Sequence, residues 1–224
     1  MTLVDTFRKD VKSALSKGAF HLFVSMAFSQ GIALLLGIVL ARLLGPENLG
    51  HVRVIQAVLQ FAGAPAAFGM ASAIAKYVSE FQLEELKKKV LSQGMFFNLF
   101  TALFVSFIVF LLSQSVIVIK DSVARYYLQF ICWTLPFTVA TSNVLCDFQG
   151  RKQIKKMAAR NIIISAFSFL SVCSLTYFWM LKGYAIATIG YNVIASLVLL
   201  WLIKRNIVLG WDGKLFRKMF RFGG

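Results

Sequence analysis

Charged residues are scarce in this sequence, and acidic residues are the scarcest among them. Only 15% of the 224 residues are charged, with 9 Asp and Glu against 24 Lys and Arg. A soluble domain carries about 25% charged residues, so this chain has too few to cover a water-exposed surface. No acidic residue lies in the middle of a long apolar window, and Asp147 stands at the edge of one. This pattern argues against a carboxylate-based proton or sodium relay.

Reactive and metal-binding motifs are also missing. The three cysteines stand singly in or beside apolar stretches, without a CxxC or a Cys–His spacing, at Cys132, Cys146 and Cys173. This arrangement predicts neither a disulfide nor a metal site. There is no Gly-rich phosphate loop, no HExxH motif and no nucleophile elbow. We therefore expect no enzyme and no cofactor.

Long apolar stretches are what the sequence has in abundance. Hydrophobic residues make up 58% of the chain, and six windows of at least 21 residues contain no charge: 18–41, 54–75, 90–119, 126–146, 161–181 and 183–203. About 20 apolar residues in a helix cross a hydrocarbon core about 30 Å thick. Backbone groups in lipid must be hydrogen-bonded internally, so the sequence predicts six transmembrane helices in an all-α membrane protein.

The positive charges lie in alternate loops. Nineteen Lys and Arg residues fall in 1–17, 76–89, 147–160 and 204–224, and only five fall in the intervening loops. Basic loops stay on the cytoplasmic side, so both termini are predicted to lie in the cytoplasm of a multi-pass plasma-membrane protein. The net charge of +15 is explained by these loops, and nucleic acid is not an expected partner.

The spans organise the chain into one membrane unit with two basic flanks. Residues 1–17 are interpreted as a basic amphipathic helix on the inner leaflet or, alternatively, a disordered basic arm. Residues 18–203 form the six-helix lobe, and 204–224 are a basic amphipathic tail. Helix breaks are expected at Gly45–Pro46, within Gly63–Gly69 around Pro65, and at Pro136. A tight hairpin is expected at Lys182–Gly183.

Span two carries the main candidate site. Arg53, Gln56 and Gln60 follow an i, i+3, i+7 pattern and share one helix face. Such a stripe can line an aqueous cavity and offer a cation and amide donors to an anionic, hydroxyl-rich substrate. The alternative is that Arg53 reaches to the outer interface while the glutamines join helices.

Other polar residues are weaker candidates. Ser25 and Ser29 share a face of span one with His21, and Gln30 lies beside it. Further candidate cations for an anionic substrate are Arg42 and Lys76, although Lys76 also suits a surface ion pair with Glu80. Span four carries a stripe of threonines beside Pro136, interpreted as hydroxyls that bond their own backbone: Thr134, Thr138 and Thr141.

Several segments resemble membrane proteins of polysaccharide biosynthesis. The string ARLLGPENLG at 41–50 is similar to a signature of the O-antigen and capsule repeat-unit flippases, in the multidrug/oligosaccharidyl-lipid/polysaccharide exporter superfamily. Weaker similarities follow in the expected order: FGMASAIAKYVSE at 68–80, FQGRKQIK at 148–155, KGYAIA at 182–187 and KMFRFG at 218–223. The resemblance extends over nearly the whole chain.

The resemblance implies one lobe of a two-lobe transporter. The expected substrate is an oligosaccharide linked to polyprenyl pyrophosphate, carried across the bilayer during cell-surface polysaccharide synthesis. The chain would be the N-terminal lobe, and a second lobe or a further copy of the chain is an expected partner. Two alternatives remain: a lobe of a multidrug/cation antiporter, which would favour an acidic residue here, and a non-transporting remnant or scaffold.

Overall fold

The computed structural model describes residues 20–115, 120–204, 208 and 212–223. Regular structure in these ranges is helical throughout. The helices are α1 (Phe20–Ala67), α2 (Met70–Glu80), α3 (Glu84–Gln114), α4 (Ser122–Ile131), α5 (Leu135–Gly150), α6 (Ile154–Ile203) and α7 (Gly213–Gly223). A 3₁₀ turn, Cys132–Thr134, joins α4 to α5. The predicted amphipathic segment 1–17 lies outside the described residues.

Two of the helices each contain two membrane spans. A straight helix of 48 residues would be about 72 Å long, more than twice the hydrocarbon thickness. In α1 the chain turns at Gly45, whose φ of 70° and ψ of 175° are not helical, and Pro46 starts the next span. In α6 it turns at Met180, with φ 52° and ψ −130°. The predicted break at Gly45–Pro46 is confirmed, and the second reversal lies two residues before Lys182.

Six spans follow from these turns. Four helical stretches are long and apolar enough to cross a membrane: Phe23–Ala67, Glu84–Gln114, Ser122–Gly150 and Ile154–Ile203. The turns in the first and last of them divide those stretches into spans one and two and spans five and six. Span three is α3, and span four comprises α4, the 3₁₀ turn and α5. The prediction of an all-α membrane protein with six spans is confirmed.

Span two has a further break close to its predicted position. The helix continues through Gly63 and Pro65, ends at Ala67, and resumes as α2 at Met70. Phe68 and Gly69 both have positive φ, 39° and 61°. Proline is tolerated inside a membrane helix when other groups satisfy the backbone carbonyl that it leaves free. Gly69, which adopts a positive φ readily, therefore determines where the helix breaks.

The core has one cluster of buried side chains at each end of the bundle. One lies where α1 bends at Gly45 and includes Leu40, Val52, Ile55, Leu128 and Ile131. The other lies at the opposite end and includes Met70, Ile74, Leu91, Val144 and Leu199. We call the second the basic end, because the chain segments 76–89 and 147–160 are there, and the first the far end.

The outer surface is apolar. Large hydrophobic side chains are widely exposed along the helices, among them Phe61 at 83%, Phe178 at 73% and Leu34 at 72%. Soluble monomers rarely expose contiguous apolar areas of this extent. A lipid environment removes the cost of that exposure, so this surface is the one expected of a multi-pass membrane protein.

Candidate functional site

A polar cavity lies between spans one, two, four and six. Its volume is about 440 Å³, and we call it the lobe cavity. Span one contributes mainly small and aliphatic residues, so the polar groups come from the other three spans. The polar lining consists of Arg53, Gln56, Gln60, Thr134, Thr138, Tyr184, Thr188, Tyr191 and Asn192. The three residues of the span-two stripe are therefore together on one wall.

A chain of hydrogen bonds crosses the lobe cavity. Arg53 donates from Nη1 to Oε1 of Gln56 over 2.8 Å. Gln56 in turn donates from Nε2 to the hydroxyl of Tyr184 over 3.2 Å. The first of these bonds uses one N–H group of the guanidinium. Because Arg53 is an exposed residue, its other N–H groups are available to a ligand. The amide thus holds the cation at the cavity wall.

Arg53 also lies close to Gly37 of span one. A Cβ at Gly37 would lie 3.4 Å from Nη2 of Arg53, which is an ordinary van der Waals contact. The guanidinium therefore lies against span one as well as against Gln56.

The threonines of span four have two roles. Thr134 donates to the carbonyl oxygen of Ile131 over 2.7 Å, and Thr138 donates to that of Leu135 over 2.9 Å. These backbone bonds agree with the interpretation from the sequence. That of Thr134 lies at the 3₁₀ turn before Pro136, and that of Thr138 lies within the first turn of α5. Because a hydroxyl oxygen still accepts while its hydrogen donates, both residues also present acceptors to the cavity.

Span six supplies residues that sequence reasoning missed. Tyr184, Thr188, Tyr191 and Asn192 share one face and line the lobe cavity. Their i, i+4, i+7, i+8 spacing is a helical stripe of the kind recognised on span two. Reading span six for polar periodicity would have found them. Asn192 is held by a bond from Nδ2 to the carbonyl oxygen of Thr188, 2.8 Å long.

The structure places other candidate residues away from the cavity. Ser29 accepts hydrogen bonds from Asn161 (3.1 Å) and Ser165 (2.9 Å), so it joins span one to span five. Ser25 is fully buried one turn earlier. Arg42 is exposed at the end of span one, outside the cavity lining. Ser25 and Ser29, one helical turn apart, therefore belong to a face of span one that packs against other helices.

Lys76 belongs to a contact with the C-terminal helix. Its Nζ lies 3.7 Å from the ring centroid of Phe222 in α7. Glu80, one turn away, pairs instead with Lys218 of α7 at 3.6 Å. The predicted ion pair between Lys76 and Glu80 is thus replaced by two separate contacts to α7, because Phe222 offers the lysine an aromatic face.

The basic end is closed by an ion network. The carboxylate of Asp147, fully buried, accepts from Nε of Arg151 through both oxygens at 2.9 Å. Nη1 of Arg151 also pairs with Glu84 at 2.5 Å. A buried carboxylate is tolerated when it is paired and hydrogen-bonded, and here the pairing ties the end of span four to the start of span three.

The far end is joined by a histidine and a carboxylate. Nδ1 of His51 contacts Oδ2 of Asp121, and Oδ1 of Asp121 accepts from the backbone N–H groups of Val123 and Ala124 at 3.0 Å. Partial burial raises the pKa of Asp121, but these N–H groups and His51 outweigh it and hold the pKa below its ordinary value. Asp121 thereby caps α4.

The chemistry of the lobe cavity follows from its lining. Among the described residues that line it, Arg53 is the one cation, and neither Asp nor Glu is present. Amides, hydroxyls and two tyrosine rings complete the surface, which suits an anionic ligand rich in hydroxyl groups. Fold and cavity together are those of a multi-pass membrane protein with a polar cavity between its helices.

Comparison with known proteins agrees with this class. The sequence model of the family described as polysaccharide biosynthesis protein matches residues 15–224. The chain therefore belongs to the polysaccharide biosynthesis protein family. No curated protein matches the sequence at a significant level.

Similar solved structures are transporters of the MOP superfamily. A MATE transporter in its straight conformation aligns with a TM-score of 0.81 at 19% identity. An outward-facing multidrug resistance MATE transporter aligns with 0.79 at 18%. A MOP transporter from Pyrococcus furiosus, whose binding pocket has reverse polarity suggesting a different function, aligns with 0.77 at 17%. Each alignment covers 95% of this chain and 51% of the other, so the chain spans about half their length.

Proposed function

We propose that this chain is one lobe of a flippase that moves polyprenyl-pyrophosphate-linked oligosaccharides across the plasma membrane for polysaccharide biosynthesis. The observation that carries the proposal is the polarity of the lobe cavity, in which Arg53 stands among amide and hydroxyl groups. The guanidinium suits a pyrophosphate because it offers planar, paired donors. The amides and hydroxyls suit a sugar, which both donates and accepts hydrogen bonds.

The basic end is proposed to face the cytoplasm. This orientation rests on the nineteen basic residues of the four loops and flanks assigned to that side. Arg53 then lies near the outer mouth of the lobe cavity, because it follows the Gly45 turn by eight residues. A substrate entering from the cytoplasm would pass Gln60 and Gln56 before it reaches the cation.

A second six-helix body is part of the proposal. Alternating access needs two bodies that rock about a shared site, and one lobe offers only one wall of such a cleft. The second body can be supplied in the same chain, by another chain or by self-association. In this arrangement the lobe cavity is half of the substrate pathway.

A drug or cation antiporter is the second candidate, since the similar solved structures include multidrug transporters. An organic cation is stabilised by carboxylates or aromatic faces in its site. The described lining of the lobe cavity has two tyrosine rings but no carboxylate, and Arg53 would repel a cation there. Its electrostatics therefore favour the anionic substrate.

The test is reconstitution of the lobe with and without a second lobe. Liposomes would carry a fluorescent polyprenyl-pyrophosphate oligosaccharide, with reduction of the outer-leaflet dye reporting its movement. We expect movement only when both lobes are present, and no movement of the same lipid lacking its sugar and pyrophosphate. Efflux of a cationic dye in place of the lipid-linked sugar would contradict the proposal and favour the antiporter.

A further inference from the structure

A second cavity lies between spans five and six, near the basic end. It has a volume of about 370 Å³, and we call it the span five–six groove. Aliphatic and aromatic side chains line it, and Arg160 is the one charged residue of the lining that the structure describes. Its lining residues are distinct from those of the lobe cavity.

Arg160 is an incompletely paired cation. Its guanidinium carbon lies 3.9 Å from the ring centroid of Phe148, so the group is stacked on an aromatic face. Its Nη1 is buried and has no hydrogen-bond partner among the described residues. A buried charged donor without a partner is costly. Because Arg160 as a whole is only partly buried, a small shift of its side chain would bring this donor to an anion in the groove and remove that cost.

The groove is polar at its shallow end and apolar below. Arg160 lies six residues after the start of α6 at Ile154, or about 9 Å along the helix. The apolar lining continues to Phe167 on span five and, on span six, from Leu202 to Ile194, a further distance of about 12 Å. Ile163 and Val198 in this lining remain more than half exposed.

A phospholipid in one leaflet has the same order of polarity, with a charged headgroup at the surface and apolar acyl chains below it. We infer that the span five–six groove binds one anionic diacyl phospholipid of the leaflet at the basic end. Its phosphodiester pairs with Arg160, and one acyl chain lies between Phe167 and Ile194. A single cation matches the single charge of a phosphodiester, whereas a pyrophosphate carries more. This site goes beyond the proposed transport function, because it holds a resident lipid outside the lobe cavity.

The experiment is native mass spectrometry of the purified chain in detergent. Phosphatidylglycerol and phosphatidylcholine with identical acyl chains are titrated separately. We expect one phosphatidylglycerol to bind, at least about tenfold more tightly than phosphatidylcholine, because a charge-assisted contact is at stake. Arg160→Gln should abolish this preference, while Arg160→Lys retains part of it. Lys156→Gln, an exposed lysine of the same end, is the matched control and should behave as wild type.

A second variant tests the apolar part of the site. Ala195 lies in the groove wall and is nearly buried, so Ala195→Phe should fill the groove and weaken binding of both lipids. If Arg160→Gln does not fold, Ala195→Phe and the comparison of the two lipids on wild type still test whether the groove binds an anionic lipid. Equal binding of both lipids to wild type, or wild-type binding by Arg160→Gln or Ala195→Phe, would overturn the inference. Displacement of phosphatidylglycerol by a lower concentration of polyprenyl phosphate would show that a carrier lipid is the occupant instead.

Discussion

Gln56 of span two donates a hydrogen bond to the hydroxyl of Tyr184 of span six, 128 residues along the chain, over 3.2 Å. The same amide accepts from Arg53 through its oxygen. Both ends of the amide are therefore engaged, which fixes its orientation and with it the position of the guanidinium. The relationship makes Tyr184 a positioning residue for the only cation in the described lining of the lobe cavity.

Tyr184→Phe tests that role. The phenyl ring keeps the packing of this buried side chain but releases Gln56. We expect a small loss of stability, on the order of 1 kcal/mol, together with a clear fall in polysaccharide export, since Arg53 loses its support. Thermal unfolding and surface-glycan levels measured on the same variant separate the two effects. Unchanged export in Tyr184→Phe would show that Arg53 does not depend on this chain of bonds.

Membrane orientation is tested by cysteine labelling. In a variant lacking the three native cysteines, Lys120→Cys places a thiol at the far end and Lys152→Cys places one at the basic end. We expect an impermeant maleimide added to intact cells to label the first and spare the second. Labelling of Lys152→Cys from outside would reverse the proposed orientation, and permeabilised cells provide the control that both thiols react.

Gly183 tests the turn between spans five and six. A Cβ there would lie 1.8 Å from the carbonyl oxygen of Leu175, a contact that only backbone movement can relieve. Gly183→Ala should therefore lower the melting temperature and the folded yield, at a cost of about 1–3 kcal/mol or more. Gly190→Ala is the matched control, because nothing lies within 4 Å of its added Cβ. Equal stability of the two variants would contradict the close approach.

The pH dependence of the melting temperature tests the contribution of the Asp121 carboxylate at the far end. Its folded-state pKa lies below the ordinary value for Asp, so its ionised form contributes stability above about pH 4. That contribution is lost as pH falls through the depressed pKa. The melting temperature of wild type should fall more steeply below pH 4 than that of Asp121→Asn, which keeps the helix cap but does not ionise. Parallel curves for the two proteins would show that the charge of Asp121 does not contribute to stability.

The sequence predicted the spans well because charge-free length is a local property. Two other features could be predicted equally well, because both depend on residues close together in the chain. They are the break at Gly45–Pro46 and the shared face of Arg53, Gln56 and Gln60. The polar periodicity of span six is also a local signal, but the contact of Tyr184 with Gln56 depends on which helices meet. The serines of span one illustrate the converse. Ser29 has the spacing of a cavity residue, but Asn161 and Ser165 of span five engage it.

The replacement of a Lys76–Glu80 pair by contacts to α7 has the same origin. Helical spacing permits an i, i+4 ion pair, but an exposed pair of this kind contributes little. Phe222 and Lys218, in the C-terminal helix α7, offer Lys76 and Glu80 other partners. Only the folded arrangement of α2 and α7 reveals them.

In the proposed function Arg53 binds the anionic part of the substrate, and complementation of a flippase-deficient strain measures this role. The protein would be supplied with its second lobe and carry Arg53→Gln, Arg53→Lys, Gln60→Leu or the control Lys120→Gln, with expression matched. We expect Arg53→Gln to reduce substrate engagement roughly ten- to a hundredfold, because a charge-assisted contact is lost. Arg53→Lys should recover only part of it, since lysine lacks the planar fork. Gln60→Leu should be reduced and Lys120→Gln should match wild type. Wild-type glycan levels in both Arg53 variants and in Gln60→Leu would contradict the account and place the substrate site elsewhere.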